Sequence, residues 1–167
     1  MSSVAEYSQE LEQEAAITRR SLERVPADRL SWAPHPKSMT LGTLALHLAV
    51  LPGAISQMAV QPAFDLAWLV PHPQATSTQE VLAAHDRSVS QARATLASLS
   101  DDDLQLPWQL LRDGELLFAI PRANVFRATL FNHCVHHRGQ LTVYLRELGI
   151  AVPAIYGASA DEQMSFT

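Results

Sequence analysis

In four stretches of this chain, apolar side chains recur at the three-to-four-residue spacing of amphipathic helices. The first stretch predicts a helix from about Val4 to Arg24, with Ser3 and Glu6 spaced as a capping box and Pro26 just past the end. The linker SWAPHPKSMT leads to a second helix starting near Leu41, capped by Thr40 or Ser38. Pro52-Gly53 should kink or break that helix. A proline-rich loop around PHPQATS follows, and then a third helix from about Thr78 to Leu99, with Ser77 and Glu80 as a second capping-box pair. Between two apolar runs, Asp113-Gly114 predicts a short hairpin. Pro121 suits the first turn of a last helix that runs unbroken to Leu148 and stops at Gly149, with Pro153 beyond. No internal repeat interrupts this order. The expectation is one all-α domain over residues 1–167, a four-helix bundle with a short hairpin before the last helix.

The segment Leu41 to Val60 has no formal charge and is long enough to cross a bilayer. It also contains His47, Pro52, Gly53, Ser56 and Gln57 and lacks a basic flank, so it reads as a buried bundle helix and not a membrane span.

Within this pattern, some positions that should be leucine are histidine. On a wheel at ~100° per residue, Phe126, Leu130, His133, His137, Leu141, Tyr144 and Leu148 form one stripe of the last helix. Leu44, His47, Leu48, Leu51, Ile55 and Met58 form another on the second helix. An imidazole in an apolar core needs partners for its nitrogens. Three that converge between helices can share one metal ion and leave a coordination position open for water or substrate. From spacing alone, hydrogen-bonded core histidines remain an equal alternative. No HExxH zinc-protease signature is present.

The other histidines have other readings. His35 and His72 lie between prolines in loops, His85 beside Asp86 reads as a partly exposed helix residue, and His136 points about 100° away from His137. Tyr144, on the His stripe, and Gln140, at its edge, are candidates to orient a ligand or bind substrate. Arg138 could pair with Asp161 or Glu162 to pin the tail. Cys134 reads as a small hydrophobe.

Composition narrows the function classes. The chain is 47% hydrophobic and 17% charged, as expected of a globular protein. Its net charge of −5 and lack of a basic run offer no field for nucleic acid. A single cysteine rules out an intrachain disulfide and suits a reducing cytoplasm. The N-terminal segment is polar and acidic, unlike a signal peptide.

The run Asn132-His133-Cys134-Val135-His136-His137-Arg138-Gly139-Gln140-Leu141 resembles the signature of the DinB-like (DinB/YfiT-like) family. So do Tyr144-Leu145-Arg146, Val152-Pro153, Tyr156-Gly157 and Ser159-Ala160-Asp161-Glu162, and the early segment Leu41 to His47. The chain departs from the family pattern in a loop, with Gly157-Ala158-Ser159 where Gly-Pro-Ser is frequent. The resemblance implies an up-down-down-up four-helix bundle, often homodimeric, that binds a divalent metal (nickel or zinc) through His47, His133 and His137. It also implies chemistry of the kind found in thiol-dependent transferases and isomerases, with a family name drawn from damage-inducible genes. The resulting expectation is a cytoplasmic, stress-linked metalloenzyme, a transferase or hydrolase acting on a small molecule, with a low-molecular-weight thiol as the candidate partner. A non-catalytic metal-binding stress protein and a structural dimeric bundle are the alternatives. For a homodimer, the expected contact is the second face of the last helix: Val125, Ala128, Val135, Gly139 and Val143.

Overall fold

The computed structural model describes residues 3–69 and 73–163. Helix α1, Val4–Leu22, opens on the expected capping box: Ser3 Oγ accepts from the Glu6 N–H at 3.2 Å, and the Glu6 carboxylate accepts from the Ser3 N–H at 2.8 Å. Helix α2, Leu41–Val60, is capped by Thr40, whose hydroxyl accepts from the Thr43 N–H. Strand β1, Ala63–Asp65, follows, and then α3, Thr78–Ala97, capped by Ser77. Strands β2, Pro107–Arg112, and β3, Glu115–Pro121, form the hairpin. The chain then enters α4, Arg122–Val125, a π-helical segment, Phe126–Asn132, and α5, His133–Glu147. The fold is predominantly helical with a small three-stranded sheet. Helix α2 packs on α3 and on α5, and α1 packs on α3 and α5.

Helix α2 has the length and apolarity to cross a bilayer. Here it is the central core helix, with Leu41, Leu44, Leu48 and Ala49 fully buried. The expected break at Pro52 does not occur, and α2 runs through it. Proline removes one ladder bond, and Ser88 of α3 inserts its hydroxyl beside the gap, accepting from the Gly53 N–H at 2.7 Å and donating to the Val50 carbonyl at 2.9 Å. Gly53 is required for this approach: a Cβ there would lie 3.0 Å from the Ser88 carbonyl oxygen and 3.1 Å from its Cα.

The last carbonyls of α2 are satisfied from the far end of the chain. Buried Arg122 donates to the carbonyls of Ala59 and Val60, and Trp108 Nε1 donates to that of Met58. The hairpin turn has φ of 52° at Asp113 and 83° at Gly114, the both-positive pattern of a type I′ turn. The Asp65 carboxylate accepts from the N–H groups of Asp113, Gly114 and Ala67, so β1 clamps the turn. Strand β1 pairs parallel with β2, and β3 forms the other edge with a bulge opposite Leu110 and Leu111.

The last helix departs from expectation in two ways. Pro121 ends β3 and precedes the helix instead of lying in its first turn. The helix also changes to π geometry over seven residues before α5. A π-turn takes in more residues than an α-turn, so each residue rotates by less than ~100°. That phase shift carries Val125 off the outer face assigned by a uniform wheel and into the core, where it is fully buried. Ala128, Val135, Gly139 and Val143 stay exposed. Helix α5 ends in a Schellman motif: the Ile150 N–H bonds the Leu145 carbonyl and the Gly149 N–H that of Arg146, with Gly149 at φ 71°.

Candidate metal centre

His47 lies in the second turn of α2, while His133 and His137 begin α5, one turn apart on one face. The fold brings all three together. His137 Nε2 is 3.2 Å from His47 Nε2 and 2.7 Å from His133 Nε2. One nitrogen from each ring fits within a 4.8 Å cluster, so the triad could hold a metal ion. His47 and His137 are buried and His133 is half-buried. This leaves one side of the cluster nearer to solvent.

The donor set fits a divalent metal on two counts. Two nitrogens bound to zinc at ~2.0–2.1 Å in tetrahedral geometry lie about 3.3 Å apart; the His47–His137 spacing already matches, and the His133–His137 pair has to spread by about half an ångström. The tautomer fits as well. Gln140 Oε1 lies 2.7 Å from His137 Nδ1. With the amide oxygen accepting there, the proton sits on Nδ1 and the Nε2 lone pair faces the cluster.

The remaining sequence candidates fall elsewhere. Tyr144 donates its hydroxyl to the Met39 carbonyl at 3.2 Å and meets the edge of Trp32. His136 is exposed and meets His137 ring against ring, centroids 5.0 Å apart. Cys134 is buried, and desolvation pushes its thiol up to about 12, which keeps it protonated. His35 is exposed, its Nδ1 accepting from the Lys37 N–H. His72 lies outside the described residues.

Two side chains sit differently from the expectation. Arg138 does not reach Asp161 or Glu162, because it projects inward against α1. Only 1% exposed, it donates to Glu14 at 2.7 Å and Thr18 at 3.0 Å and meets the Tyr156 hydroxyl. Arg146 and Arg24 take the Asp161 and Glu162 roles instead. His85 is not partly exposed but 2% exposed, because α3 turns it between α1 and α2. Among the described residues neither of its ring nitrogens has a hydrogen-bond partner, and the Asp86 carboxylate oxygen lies 3.5 Å from Nδ1. The adjacent Asp86 suggested a surface position for His85; the signal that could have found its burial is helical spacing, since Val81 and Val89 lie four residues to either side and are both buried.

The DinB family model matches residues 1–164. The uncharacterized protein YrdA of Bacillus subtilis (strain 168) is 29% identical over 161 residues, covering 92% of this chain and 87% of that protein. Two solved structures share the fold. A DinB-like protein of Bacillus cereus ATCC 10987 has a TM-score of 0.73 at 24% identity, covering 92% of this chain and 98% of that one. The DinB-like protein YjoA of Bacillus subtilis has a TM-score of 0.69 at 16% identity, covering 95% and 99%.

Proposed function

The chain belongs to the DinB family, and we propose that it is a metal-dependent enzyme acting on a small molecule, with His47, His133 and His137 holding one nickel or zinc ion. The observation that carries this reading is the convergence of three imidazole Nε2 atoms from two helices, one of them with its tautomer set by Gln140. A divalent metal held by these three imidazoles would supply Lewis acidity toward a thiol or water.

The protein's own residues hold and orient that centre. Helix α2 presents His47, α5 presents the His133–His137 pair, and Gln140 fixes the ring of His137. Among the described residues the one cysteine is not a ready nucleophile, since the Cys134 thiol is buried and protonated. The attacking group therefore comes from outside, and a low-molecular-weight thiol is the nucleophile we assign, in a transferase reaction. The helix contacts, α1 and α2 each against α3 and α5, support an up-down-down-up four-helix bundle. In this reading the protein is a cytoplasmic, stress-linked homodimer that does not bind nucleic acid.

The test is elemental analysis of untagged protein, followed by thiol titration of the cobalt-substituted form. His47→Ala, His133→Ala and His137→Ala should each strip the metal, and His136→Ala should retain it. A sulfur-to-cobalt charge-transfer band on adding a small thiol supports the transferase. No band, together with metal-dependent ester or amide hydrolysis, replaces it with a hydrolase. Absence of any metal leaves a structural bundle.

A further inference from the structure

The two histidines of α5 meet His47 only at one rotation of that helix. Side-chain tips lie ~5–6 Å from a helix axis, so a turn of about 10° would carry His133 and His137 sideways by about 1 Å. A ligand set has to be held to within ~0.5 Å to function as one. The π-helical segment before α5 cannot pass on a fixed α-helical phase, because its residues turn by less than ~100° each. Buried Leu141 and Leu145 hold α5 to the core, but apolar contact is non-directional. The directional tie of α5 to α1 is Arg138.

Arg138 follows His137 and so projects about 100° around the helix from it, toward α1. Its guanidinium donates to the carbonyl and the carboxylate of Glu14, at 3.3 and 2.7 Å, to the Thr18 hydroxyl at 3.0 Å and to the Tyr156 hydroxyl. Tyr156 closes the ring by donating to the same Glu14 oxygen at 2.7 Å, and its ring centroid lies 5.1 Å from the guanidinium carbon. A guanidinium is a rigid planar fork, so acceptors on three residues fix its direction as they could not fix a leucine's. A buried charge is a costly way to fill space, and setting register is the best-attested use of one.

Tyr156 is in turn held by its own loop. Asp161 accepts from the Val152 N–H at 2.9 Å, Glu162 from the Ala154 N–H at 3.0 Å, and the Ser159 hydroxyl donates to the Val152 carbonyl at 2.7 Å. Arg146 and Arg24 fasten Asp161 and Glu162 to α5 and to the end of α1. Tyr156 is 60% exposed, so these polar ties, and not burial, set where its hydroxyl sits. We propose that Arg138, Glu14 and Tyr156 are positioning residues for the metal centre, clamping α5 to α1 at the rotation that turns His133 and His137 onto His47. The C-terminal loop is thereby part of that centre without supplying a ligand. The inference rests on the reading of the histidine triad as a metal site.

The experiment is chelator competition and ligand-field spectroscopy of the cobalt-loaded protein, in wild type and three variants. Tyr156→Phe removes one hydroxyl from a largely exposed ring, and Arg138→Met fills the buried space without the fork. Arg138→Met should lower cobalt affinity by about tenfold, the lower end of the usual cost of losing an outer support, and shift the ligand-field band. Tyr156→Phe should change both in the same direction by less. Val81→Ala truncates a fully buried side chain of α3, which packs on α1 and α2. It should lose stability yet keep the wild-type affinity and band. That control separates positioning from general destabilisation, and Tyr156→Phe decides if Arg138→Met fails to fold. Wild-type affinity and band in Tyr156→Phe, or an equal change in Val81→Ala, would overturn the proposal and leave the metal reading intact. A wild type that takes up no cobalt overturns both.

Discussion

The side-chain oxygen of Gln140 sits 2.7 Å from Nδ1 of His137, one turn along the same helix and on the side of the ring away from the histidine cluster. Glutamine thus does for His137 what carboxylates and carbonyls do for many metal-binding histidines: it fixes which nitrogen is bare. Gln140→Ala should lower metal affinity by about 10- to 100-fold, the usual cost of losing such a support, while leaving stoichiometry at one. Chelator competition measures it, and unchanged affinity would refute the role.

Glu14→Ala should cost about 3 kcal/mol in urea unfolding, because removing one partner strands a buried charge. Arg138 is 1% exposed and Glu14 16%, and Tyr156 also donates to Glu14 at 2.7 Å. Glu14→Gln keeps an acceptor and should cost less. Equal losses in the two variants would show that packing, and not the stranded guanidinium, sets the penalty.

His85 predicts an acid sensitivity. Burial holds its pKa below the ordinary value of 6.5, with Asp86 opposing that shift and Arg19 and Arg93 reinforcing it. The unfolded chain therefore takes up a proton at about pH 6.5, and the folded chain only at lower pH. Stability is complete above that range and falls as the pH drops below it. His85→Leu removes two buried nitrogens that lack partners, so it should stabilise by about 1 kcal/mol at pH 7. It should also flatten the decline below pH 6.5, read as the difference between the two proteins in thermal melts at several pH values. Parallel pH profiles would contradict this.

Asp65 titrates in the same direction further down the pH scale. The N–H groups of Ala67 and Gly114 hold its carboxyl below the usual range, against a smaller effect of burial, and the Asp113 N–H adds to them. Its contribution is present above the ordinary carboxylate pKa and disappears as pH falls through the lowered one. Asp65→Ala should speed hydrogen exchange at Gly114 and Asp113 while the core amides of α2 keep their protection. Loss of protection throughout α2 would mean that the clamp supports more than the hairpin.

Much of this was legible in the chain. The capping box of α1, the Ser77 cap of α3 (whose Glu80 carboxylate reaches Thr76 instead of closing the expected box), the Asp113-Gly114 turn and the Gly149 stop are local, each determined by residues within a few positions of one another. The histidine triad was legible because helical periodicity alone puts His47, His133 and His137 at core positions. What escaped depends on partners far away in sequence. Strand β1 is three residues that become a strand only against β2. Ser88 bridges the Pro52 gap from another helix. The inward turn of Arg138 follows from which helix lies opposite, while the stripe of Val81, His85 and Val89 did carry the burial of His85 and the neighbouring Asp86 obscured it. Nothing in the composition of Phe126–Asn132 marks its π geometry, and assuming 100° per residue through it placed Val125 on the wrong side.

That segment has a consequence for insertions and deletions. A π-turn is an α-turn with residues to spare, and the surplus lies upstream of His133 and His137. Deleting exposed Ala128 lets the segment relax toward ordinary α-helix while its two ends keep nearly the same relative rotation. Deleting a residue between His133 and His137 has no such slack to draw on and swings one ring out of line by about 100°. A one-residue gap is therefore tolerable before the first histidine of α5 and ruinous after it, although the two places are only a few residues apart.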